Sequence, residues 1–270
     1  MTAFDPARQT VVVTGAGNGI GAGLATMLAA RGARVVVADV DAAGVDRTVA
    51  AITATGGTAL GAPGDAASQT GVDALIETAA LAFGPIDAWF ANAGVDRGRG
   101  LAASDADWDL SWNVNVLAHV HAARRLVPGW IERGGGRFVV TASAAGLLTM
   151  LEAPAYSVTK HGAVAFAEWL SATYRHRGVV VQAICPQGVQ TRMLDDSGPL
   201  KELLSHDVAL TVDDLTAAVE RALTGDDFLI LPHTEVAGYY AARAADTGRW
   251  LTGMNKIQQR METLTEEDEQ

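Results

Sequence analysis

The sequence is poor in cysteine and in basic residues, and each shortage excludes a class of protein. Cys185 is its single cysteine in 270 residues, so an internal disulfide framework is excluded. Its 20 lysines and arginines are outnumbered by 31 aspartates and glutamates, which gives a formal net charge of −11. Proteins that bind a phosphate backbone usually present a basic stripe, and none is visible in this sequence. We therefore expect no nucleic-acid partner.

Long apolar runs are also missing. No uninterrupted run reaches the roughly 20 residues that a membrane-spanning helix needs, and the first nine residues lack the apolar stretch of a secretory peptide. We expect no membrane partner and a soluble, cytoplasmic protein. His119 and His121 are two positions apart in a predicted helix, so their side chains point in different directions and make a poor metal pair. No metal site is predicted.

The chain is long enough for one well-buried α/β domain and short for two, and its hydrophobic content is 49%. Short apolar runs alternate with helical patterns, which indicates a parallel sheet covered by helices on both faces. Strands are predicted at residues 10–14, 34–39, 58–61, 86–91, 136–142, 179–185 and 228–231. Helices are predicted at residues 21–31, 42–55, 71–83, 105–133, 156–177 and 213–223.

Two segments depart from this alternation. The periodicity weakens over residues 192–214, where aspartate, glycine and proline interrupt it, and we predict a lid there with a short helix at residues 203–210. Residues 233–270 form a C-terminal extension, and the polarity of residues 233–260 indicates a surface helix pair.

A glycine-rich turn follows the first strand and opens the first helix. It reads Thr14-Gly15-Ala16-Gly17-Asn18-Gly19-Ile20-Gly21. Backbone N–H groups and the helix dipole can hold a pyrophosphate at such a place, and a Cβ would block the close approach. An ordinary glycine-rich turn is the alternative, but the position directly after the first strand favours a dinucleotide.

Asp39 ends the second strand, 18 residues beyond Gly21. In dinucleotide-binding folds an acidic residue about 20 residues on binds the adenosine ribose. A carboxylate there accepts hydrogen bonds from ribose hydroxyls and repels a 2′-phosphate, and Val40 and Asp41 offer no cation for that phosphate. The predicted cofactor is therefore NAD rather than NADP, while a helix N-cap is the alternative role for Asp39.

Tyr156 and Lys160 are four residues apart in a predicted helix and so share one face. An ammonium beside a phenol favours the phenolate, which would make Tyr156 a usable acid or base near neutral pH. Taken alone, this spacing is common on solvated helices.

The order of motifs resembles the short-chain dehydrogenase/reductase family between about residue 10 and about residue 193. The motifs are Thr14-Gly15-x-x-x-Gly19-Ile20-Gly21, Asp65, Asn92-Ala93-Gly94, Asn115, Ser143, Tyr156-x-x-x-Lys160 and Pro186-x-Gly188-Val189-x-Thr191. The resemblance implies a single-domain Rossmann-type, doubly wound parallel sheet of about seven strands. It also implies a homodimer or homotetramer, with the helices at residues 105–133 and 156–177 pairing across a two-fold axis.

The resemblance implies four catalytic residues: Asn115, Ser143, Tyr156 and Lys160. Tyr156 would move the proton on the substrate oxygen, and Ser143 would hydrogen-bond that oxygen. Lys160 would lower the pKa of the tyrosine and hold the nicotinamide ribose, while Asn115 would hold a water that relays protons to solvent. The alternatives are a turn serine at residue 143 and, at residue 115, a polar residue that caps or kinks its helix.

The implied cofactor contacts come from every loop at one edge of the sheet. They are Gly15, Asn18, Gly19, Ile20, Gly21, Asp39, Val40, Asp65, Ala66, Asn92, Ala93, Gly94, Tyr156, Lys160, Pro186, Val189 and Thr191. A loop-capping role is the alternative for Asp65. Gln187 stands where the family usually has glycine, so it either reaches the substrate or narrows the pocket. The predicted substrate contacts are Ser143, Tyr156 and Gln187.

The loop between Ser143 and Tyr156 is mostly apolar, which favours a hydrophobic alcohol or ketone with an alicyclic, aromatic or steroid-like body. Within it, Glu152 would bind a substrate hydroxyl or amine or would face water. Arg97 and Arg99 are candidates to meet a carboxylate. The sequence thus predicts an NAD(H)-dependent oxidoreductase that interconverts a secondary alcohol and a ketone. The alternatives are a 3-oxoacyl thioester reductase and a non-catalytic NAD(H)-binding regulator.

Overall fold

A seven-stranded sheet with every neighbouring pair parallel forms the centre of the chain. The computed structural model describes residues 4–195 and 209–268. The spatial order of the strands is β3-β2-β1-β4-β5-β6-β7. The strands are β1 (Thr10–Thr14), β2 (Arg34–Asp39), β3 (Thr58–Pro63), β4 (Ala88–Ala91), β5 (Gly136–Thr141), β6 (Val179–Ile184) and β7 (Leu229–Ile230).

Helices connect the strands and cover both faces of the sheet. They are α1 (Gly19–Ala30), α2 (Ala42–Ala54), α3 (Gln69–Phe83), α4 (Asp105–Trp112), α5 (Ala118–Glu132), α6 (Pro154–Tyr174), α7 (Arg192–Asp195), α8 (Val212–Leu223), α9 (Glu235–Ala245) and α10 (Thr247–Asp268). Single 3₁₀ turns occur at Gly100–Ala102, Ala144–Gly146 and Arg175–Arg177. No helix among the described residues is both long and apolar enough to cross a membrane.

The core has two apolar layers, one on each face of the sheet. In β1, Val11 and Val13 pack into one layer while Val12 packs into the other, and all three are fully buried. Burial on both faces explains why the strands read as continuous apolar runs. The predicted doubly wound, single-domain α/β fold of about seven strands is confirmed.

The predicted long helix at residues 105–133 is wrong in one respect. A π-helical turn, Asn113–Leu117, separates α4 from α5 and inserts extra backbone between them. Such turns interrupt the regular ladder of an α-helix and occur often at functional sites. The apolar periodicity continues across the turn, so the sequence did not reveal it.

Several ends of elements also differ from the prediction. The last strand is limited to Leu229–Ile230, because only these residues pair with β6. The first residues of the predicted fourth strand precede the paired stretch, which begins at Ala88. α6 begins at Pro154, since proline suits the first turn of a helix, and residues 175–177 continue it as a 3₁₀ turn.

Only part of the predicted lid at residues 192–214 is described. The predicted short helix at residues 203–210 lies outside the described residues except for its last two positions, and Leu210 forms a parallel bridge with Val189. The C-terminal extension does contain two helices, α9 and α10. The predicted helix pair is therefore present, and its position relative to the site is described below.

Leucines on two helices test how far stability depends on the packed layers. Leu28 on α1 is fully buried, whereas Leu81 on α3 is 91% exposed. We expect Leu28→Ala to lower the free energy of unfolding by about 2–5 kcal/mol, because the deletion leaves a cavity in a close-packed core. Leu81→Ala should change it by less than about 0.5 kcal/mol. Urea unfolding followed by circular dichroism measures both, and equal losses would contradict the layered core.

Candidate active site

The site lies where the carboxyl ends of the parallel strands meet. The glycine turn follows β1, Asp39 ends β2, Asn92 follows β4, Ser143 follows β5 and Pro186 follows β6. One cavity of about 2550 Å³ runs along this edge. Pockets for a single small ligand usually measure about 300–1000 Å³, so this cavity has room for a dinucleotide and a second molecule.

The cavity wall contains all the predicted site residues except one. They are Gly15, Asn18, Gly19, Ile20, Gly21, Asp39, Val40, Asp65, Ala66, Asn92, Ala93, Gly94, Ser143, Tyr156, Lys160, Pro186, Gln187, Val189 and Thr191. Asn115 is fully buried and lies behind the wall.

The glycine turn has the conformation and the open space that a pyrophosphate needs. Gly15 has a φ of +62°, and a Cβ there would lie 2.8 Å from the Cα of Ala93. Asn18 is the N-cap of α1 but its side chain makes no capping hydrogen bond, and the first turn carries no acidic residue. The first N–H groups of α1 therefore have no side-chain acceptor, and such a helix terminus is a ready anion site. The turn fits a dinucleotide phosphate.

Asp39 is held rigidly beside this turn. Its Oδ2 accepts a hydrogen bond from the backbone N–H of Gly17 at 2.9 Å, and its Oδ1 accepts one from the N–H of Asp41 at 3.0 Å. The N-cap of α2 is Asp41, so the capping alternative for Asp39 is wrong. A negative charge is thereby fixed on the cavity wall at the end of β2.

Asp65 and Asn92 both make bonds that shape their own loops. The Oδ1 of Asp65 accepts from the N–H of Ala67 at 2.8 Å, which is the loop-capping geometry, while the residue also lies on the cavity wall. The side-chain amide of Asn92 donates to the carbonyl oxygens of Thr14 at 3.0 Å and Gly15 at 3.2 Å. Asn92 thus ties the end of β4 to the glycine turn.

On the other side of the cavity, Thr191 faces the same turn. Its hydroxyl donates to the carbonyl of Val189 at 3.2 Å, and its methyl group would lie 3.3 Å from a Cβ at Gly19. The backbone N–H of Gln187 donates to Nδ1 of His233 at 3.2 Å. These contacts hold the segment after β6 along the cavity.

Tyr156 is 9% exposed, and its hydroxyl is hydrogen-bonded to Ser143. Burial raises the pKa of Tyr156 to about 12, and the hydrogen bond from Ser143 acts in the opposite direction. In the protein without a cofactor, the pKa of Tyr156 is thus raised rather than lowered, because burial disfavours the charged phenolate. The predicted lowering by Lys160 together with an oxidised cofactor stays a prediction.

Lys160 is also buried, and burial lowers its pKa to about 8. Its Nζ donates to the carbonyl of Thr141 at 2.9 Å and lies 5.6 Å from the centre of the Tyr156 ring. A Cβ added to Gly94 would lie 3.1 Å from this Nζ and 3.3 Å from the Oδ1 of Asn115. The lysine and the asparagine therefore converge on the backbone of the loop after β4.

Asn115 lies in the π-helical turn, and its side chain is fully engaged. Its Oδ1 accepts from the N–H of Val95 at 2.9 Å, and its amide donates to the carbonyl of Val95 at 2.9 Å and to the hydroxyl of Thr159 at 3.0 Å. These bonds connect the loop after β4 to α6. The alternative role, a polar residue at an irregular place in its helix, is thus also observed.

Sequence reasoning missed Asp96, which lies on the cavity wall. Arg99 forms a two-pronged ion pair with it, at 2.8 and 3.0 Å, so this arginine already meets a carboxylate of its own loop. The charge of Asp96 contributes to raising the pKa of Tyr156 and opposes the lowering at Lys160. The only sequence signal was its position two residues after Gly94.

The predicted pair of C-terminal surface helices is confirmed by α9 and α10, most of whose described residues are exposed. The sequence did not reveal that residues between Tyr239 and Met261 also form one wall of the cavity. The carboxylate of Glu152 accepts a hydrogen bond from Gln258 on α10 and so contacts this wall. The polar residues on the outer faces of these helices hid the apolar residues on the inner face.

The fold and this site define an oxidoreductase that acts on CH–OH groups. A dinucleotide turn, the buried Tyr156 and Lys160, and the partly exposed Ser143 line one cavity. The family model described as "short chain dehydrogenase" matches residues 9–201, and the chain belongs to that family. α9 and α10 lie beyond the matched residues.

Relatives and solved structures agree with this assignment. The 1-deoxy-11-beta-hydroxypentalenate dehydrogenase of Streptomyces exfoliatus is 32% identical over 231 residues, which is 84% of each chain. The cyclohexanol dehydrogenase of Acinetobacter sp. (strain SE19) is 28% identical and covers 82% of this chain and 89% of its own. The crystal structure of a short-chain dehydrogenase/reductase from Burkholderia phymatum in complex with NAD superposes with a TM-score of 0.84 at 29% identity. It covers 90% of this chain and 95% of its own.

His119 is buried near Lys160. Burial, assisted by the charge of Lys160, lowers the pKa of His119 to about 3. Between pH 6.5 and 3 the unfolded chain therefore binds a proton that the folded chain does not, so this residue lowers stability as the pH falls.

This linkage predicts a pH effect on stability. Between pH 7.5 and 5.5 the His119 contribution should cost wild type about 1.4 kcal/mol of unfolding free energy, and His119→Gln should lack that loss. The exposed His176 on the far end of α6 provides the control, since His176→Gln should follow wild type. Urea unfolding at the two pH values measures the difference. Parallel pH dependence in all three proteins would contradict a neutral, buried His119.

Proposed function

We propose that the protein interconverts a hydrophobic secondary alcohol and the corresponding ketone with NAD(H) as cofactor. The observation that carries the proposal is that Tyr156, Ser143 and Lys160 lie on the wall of the same cavity as the dinucleotide turn. A bound nicotinamide would supply or accept the hydride. The protein has to position the substrate oxygen and move one proton.

The proposed roles follow from the contacts. The hydroxyl of Tyr156 gives a proton to the substrate oxygen during reduction and takes it back during oxidation. The hydroxyl of Ser143 donates to the same oxygen, where charge develops. Lys160 carries its ammonium close to the tyrosine ring and next to Gly94, where it is placed to hold ribose hydroxyls of the cofactor. Asn115 fixes the loop that carries Gly94 and so acts as a positioning residue.

The pKa values of Tyr156 and Lys160 indicate when the tyrosine can act as an acid and when it can act as a base. With a pKa of about 12, Tyr156 is protonated at neutral pH and is ready to act as an acid. Its role as a base in alcohol oxidation needs additional positive charge near the ring, which the oxidised cofactor would provide. The pKa of Lys160 is about 8, which is close to neutral pH. Its ammonium group can therefore exchange a proton when Tyr156 loses or gains one.

NAD is proposed over NADP because of Asp39. Its carboxylate is fixed by two backbone N–H groups at the end of β2, where the ribose of a dinucleotide lies in this class of fold. A 2′-phosphate would meet this negative charge at short range. The neighbouring Val40 brings no compensating cation and is 75% exposed.

We propose a cyclic, mostly apolar substrate because of the residues that line the substrate chamber. The substrate chamber is the part of the cavity lined by α10 and by the loop before α6. Leu148, Met150 and Leu151 from the loop before α6 line the same cavity as Met254 and Ile257 of α10. Two of the relatives described above carry names of cyclic alcohols, which is consistent with this class. Gln187 lies on the same wall and is proposed to contact the substrate.

The two alternatives can be separated from the proposal by one assay series. Purified protein is incubated with NAD and a panel of cyclic secondary alcohols, and with NADPH and acetoacetyl-CoA, while reduced-cofactor fluorescence is followed. An increase with a cyclic alcohol supports the proposal. Faster consumption of NADPH with the thioester would favour the thioester reductase, and no change with any compound would favour a regulator. Location in the cytoplasm and assembly into a homodimer or homotetramer stay predictions.

Tyr156→Phe tests the proton-transfer role. We expect kcat/KM with a cyclic alcohol to fall by about 10²–10⁴-fold, because the acid/base group is lost, while the Kd for NAD changes by less than about threefold. Tyr174→Phe on the same helix is the matched control, since Tyr174 lies outside the cavity wall, and it should keep wild-type activity. Steady-state kinetics and calorimetric titration with NAD measure the two quantities. Activity near wild type in Tyr156→Phe would overturn the mechanism.

Asp39→Ala tests the cofactor preference. Removal of the fixed charge should raise the ratio of kcat/KM for NADP to that for NAD by about tenfold or more, as repulsion of the 2′-phosphate disappears. Asp46→Ala removes an exposed carboxylate from α2 and should leave the ratio unchanged. An unchanged ratio in Asp39→Ala would contradict the proposed role.

A further inference from the structure

α10 presents one of its faces to the cavity along about three turns. The residues on this face are Arg249, Trp250, Met254, Ile257, Arg260 and Met261, spaced as neighbours on one side of a helix. Its centre is apolar and each end carries an arginine. At 1.5 Å per residue the two arginine positions are about 16 Å apart along the helix axis.

α9 and α10 form one wall of the cavity and are attached to the loop before α6, which also lines the substrate chamber. The guanidinium of Arg243 on α9 donates to the carbonyl of Leu147 and contacts Nε2 of His161 at 3.2 Å. Gln258 on α10 donates to the carboxylate of Glu152. Glu152 itself has a φ of +61°, a left-handed conformation that costs a non-glycine residue free energy and persists only where its surroundings enforce it. α9 and α10 are therefore built into the chamber.

The polar groups that the α10 face presents are donors. The Nε1–H of Trp250 is buried and has no acceptor within the described residues. Arg249 and Arg260 are exposed, and neither forms an ion pair within the part of the chain that the structure describes. Two carboxylates lie close to these arginines in sequence. Asp246 accepts from the backbone N–H of Arg249 at the start of α10, and Glu262 accepts from the side-chain amide of Gln258.

We propose that this wall recognises a negatively charged group on the substrate, and that the substrate is an alicyclic hydroxy or keto acid. The inference rests on the proposed function, which places the reacting oxygen at Tyr156. The apolar centre of the α10 face covers the ring system, while a carboxylate at the other end of the substrate meets Arg249 or Arg260.

The negative net charge of the chain and the two arginines of the α10 face together make this face the place where an anion would bind. With a net charge of −11 the protein as a whole repels an anion, so binding of a carboxylate needs local cations. A guanidinium matches a carboxylate with two parallel hydrogen bonds, and an exposed arginine gives up little hydration when it does so. Because these side chains are exposed, added salt should weaken the interaction.

The test compares acids with their uncharged esters in binding and in turnover. The probes are 4-hydroxycyclohexanecarboxylate and cholate, each with its methyl ester, titrated by calorimetry into the wild-type protein saturated with NAD. At least one acid should bind about tenfold or more tightly than its ester, and this preference should shrink in 0.5 M salt. Equal binding of acid and ester in both pairs, or preference for the esters, would overturn the inference.

Variants of α10 show which side chains cause the preference for the acid over its ester. Arg249→Gln with Arg260→Gln should remove the acid preference and leave the Kd of the ester and of NAD within about twofold of wild type, with at least one single variant giving most of the loss. Lys256→Gln is the matched control, because this exposed cation lies on α10 outside the cavity wall. The same loss in Lys256→Gln, or an unchanged preference in the double variant, would overturn the inference.

The measurements distinguish failure of the proposed oxidoreductase function from failure of the anion-binding inference. If no probe and no cyclic alcohol yields NADH with wild type, the oxidoreductase proposal fails, while the calorimetric comparison of acid with ester still decides whether the wall binds anions. If turnover occurs and acid and ester behave alike, the oxidoreductase proposal stands and the anion-binding wall fails.

Discussion

The pairing of β1 with β4 is the contact on which the site depends. The chain leaves β1 toward β2 on one side and returns to β4 on the other, so the loops after these two strands separate and open a crevice. The hydroxyl of Thr14 accepts from the N–H groups of Asn92 and Ala93, each at 3.0 Å, and closes the base of that crevice. The glycine turn can pack against Ala93 only because Gly15 lacks a Cβ. The cavity along this edge of the sheet is therefore lined by the loops after both strands.

Burial controls the chemistry at this edge. Loss of water raises the pKa of Tyr156 and lowers the pKa values of Lys160 and His119, because a buried site disfavours the charged form of every group. Tyr156 is thereby kept protonated at neutral pH, and the pKa of Lys160 is brought close to neutral pH. The charge of a bound cofactor would therefore have a large influence on the proton affinity of the pair.

The parts of the site that could be predicted from sequence are those with short-range causes. Glycines after a strand, an aspartate at the end of β2, and a tyrosine four residues before a lysine all act through local geometry, and the structure brings them to one cavity. Predictions failed where an irregular local conformation or a contact between distant segments decides the structure. The π-helical turn at Asn115, the ion pair of Asp96 with Arg99 and the contact of Glu152 with Gln258 leave no periodic signal, since each depends on packing between elements far apart in the chain or on a loop conformation.

The sequence by itself determined the doubly wound sheet and the kind of chemistry. Apolar runs without polar alternation can be buried only between two helical layers, and the motif order assigns residues to the loops at one sheet edge. Tertiary structure alone decided the proton affinities and the shape of the substrate chamber. A pKa depends on how much water a group loses, and the chamber wall depends on which face of α10 turns inward toward the loop before α6. Both are set by contacts across the whole fold.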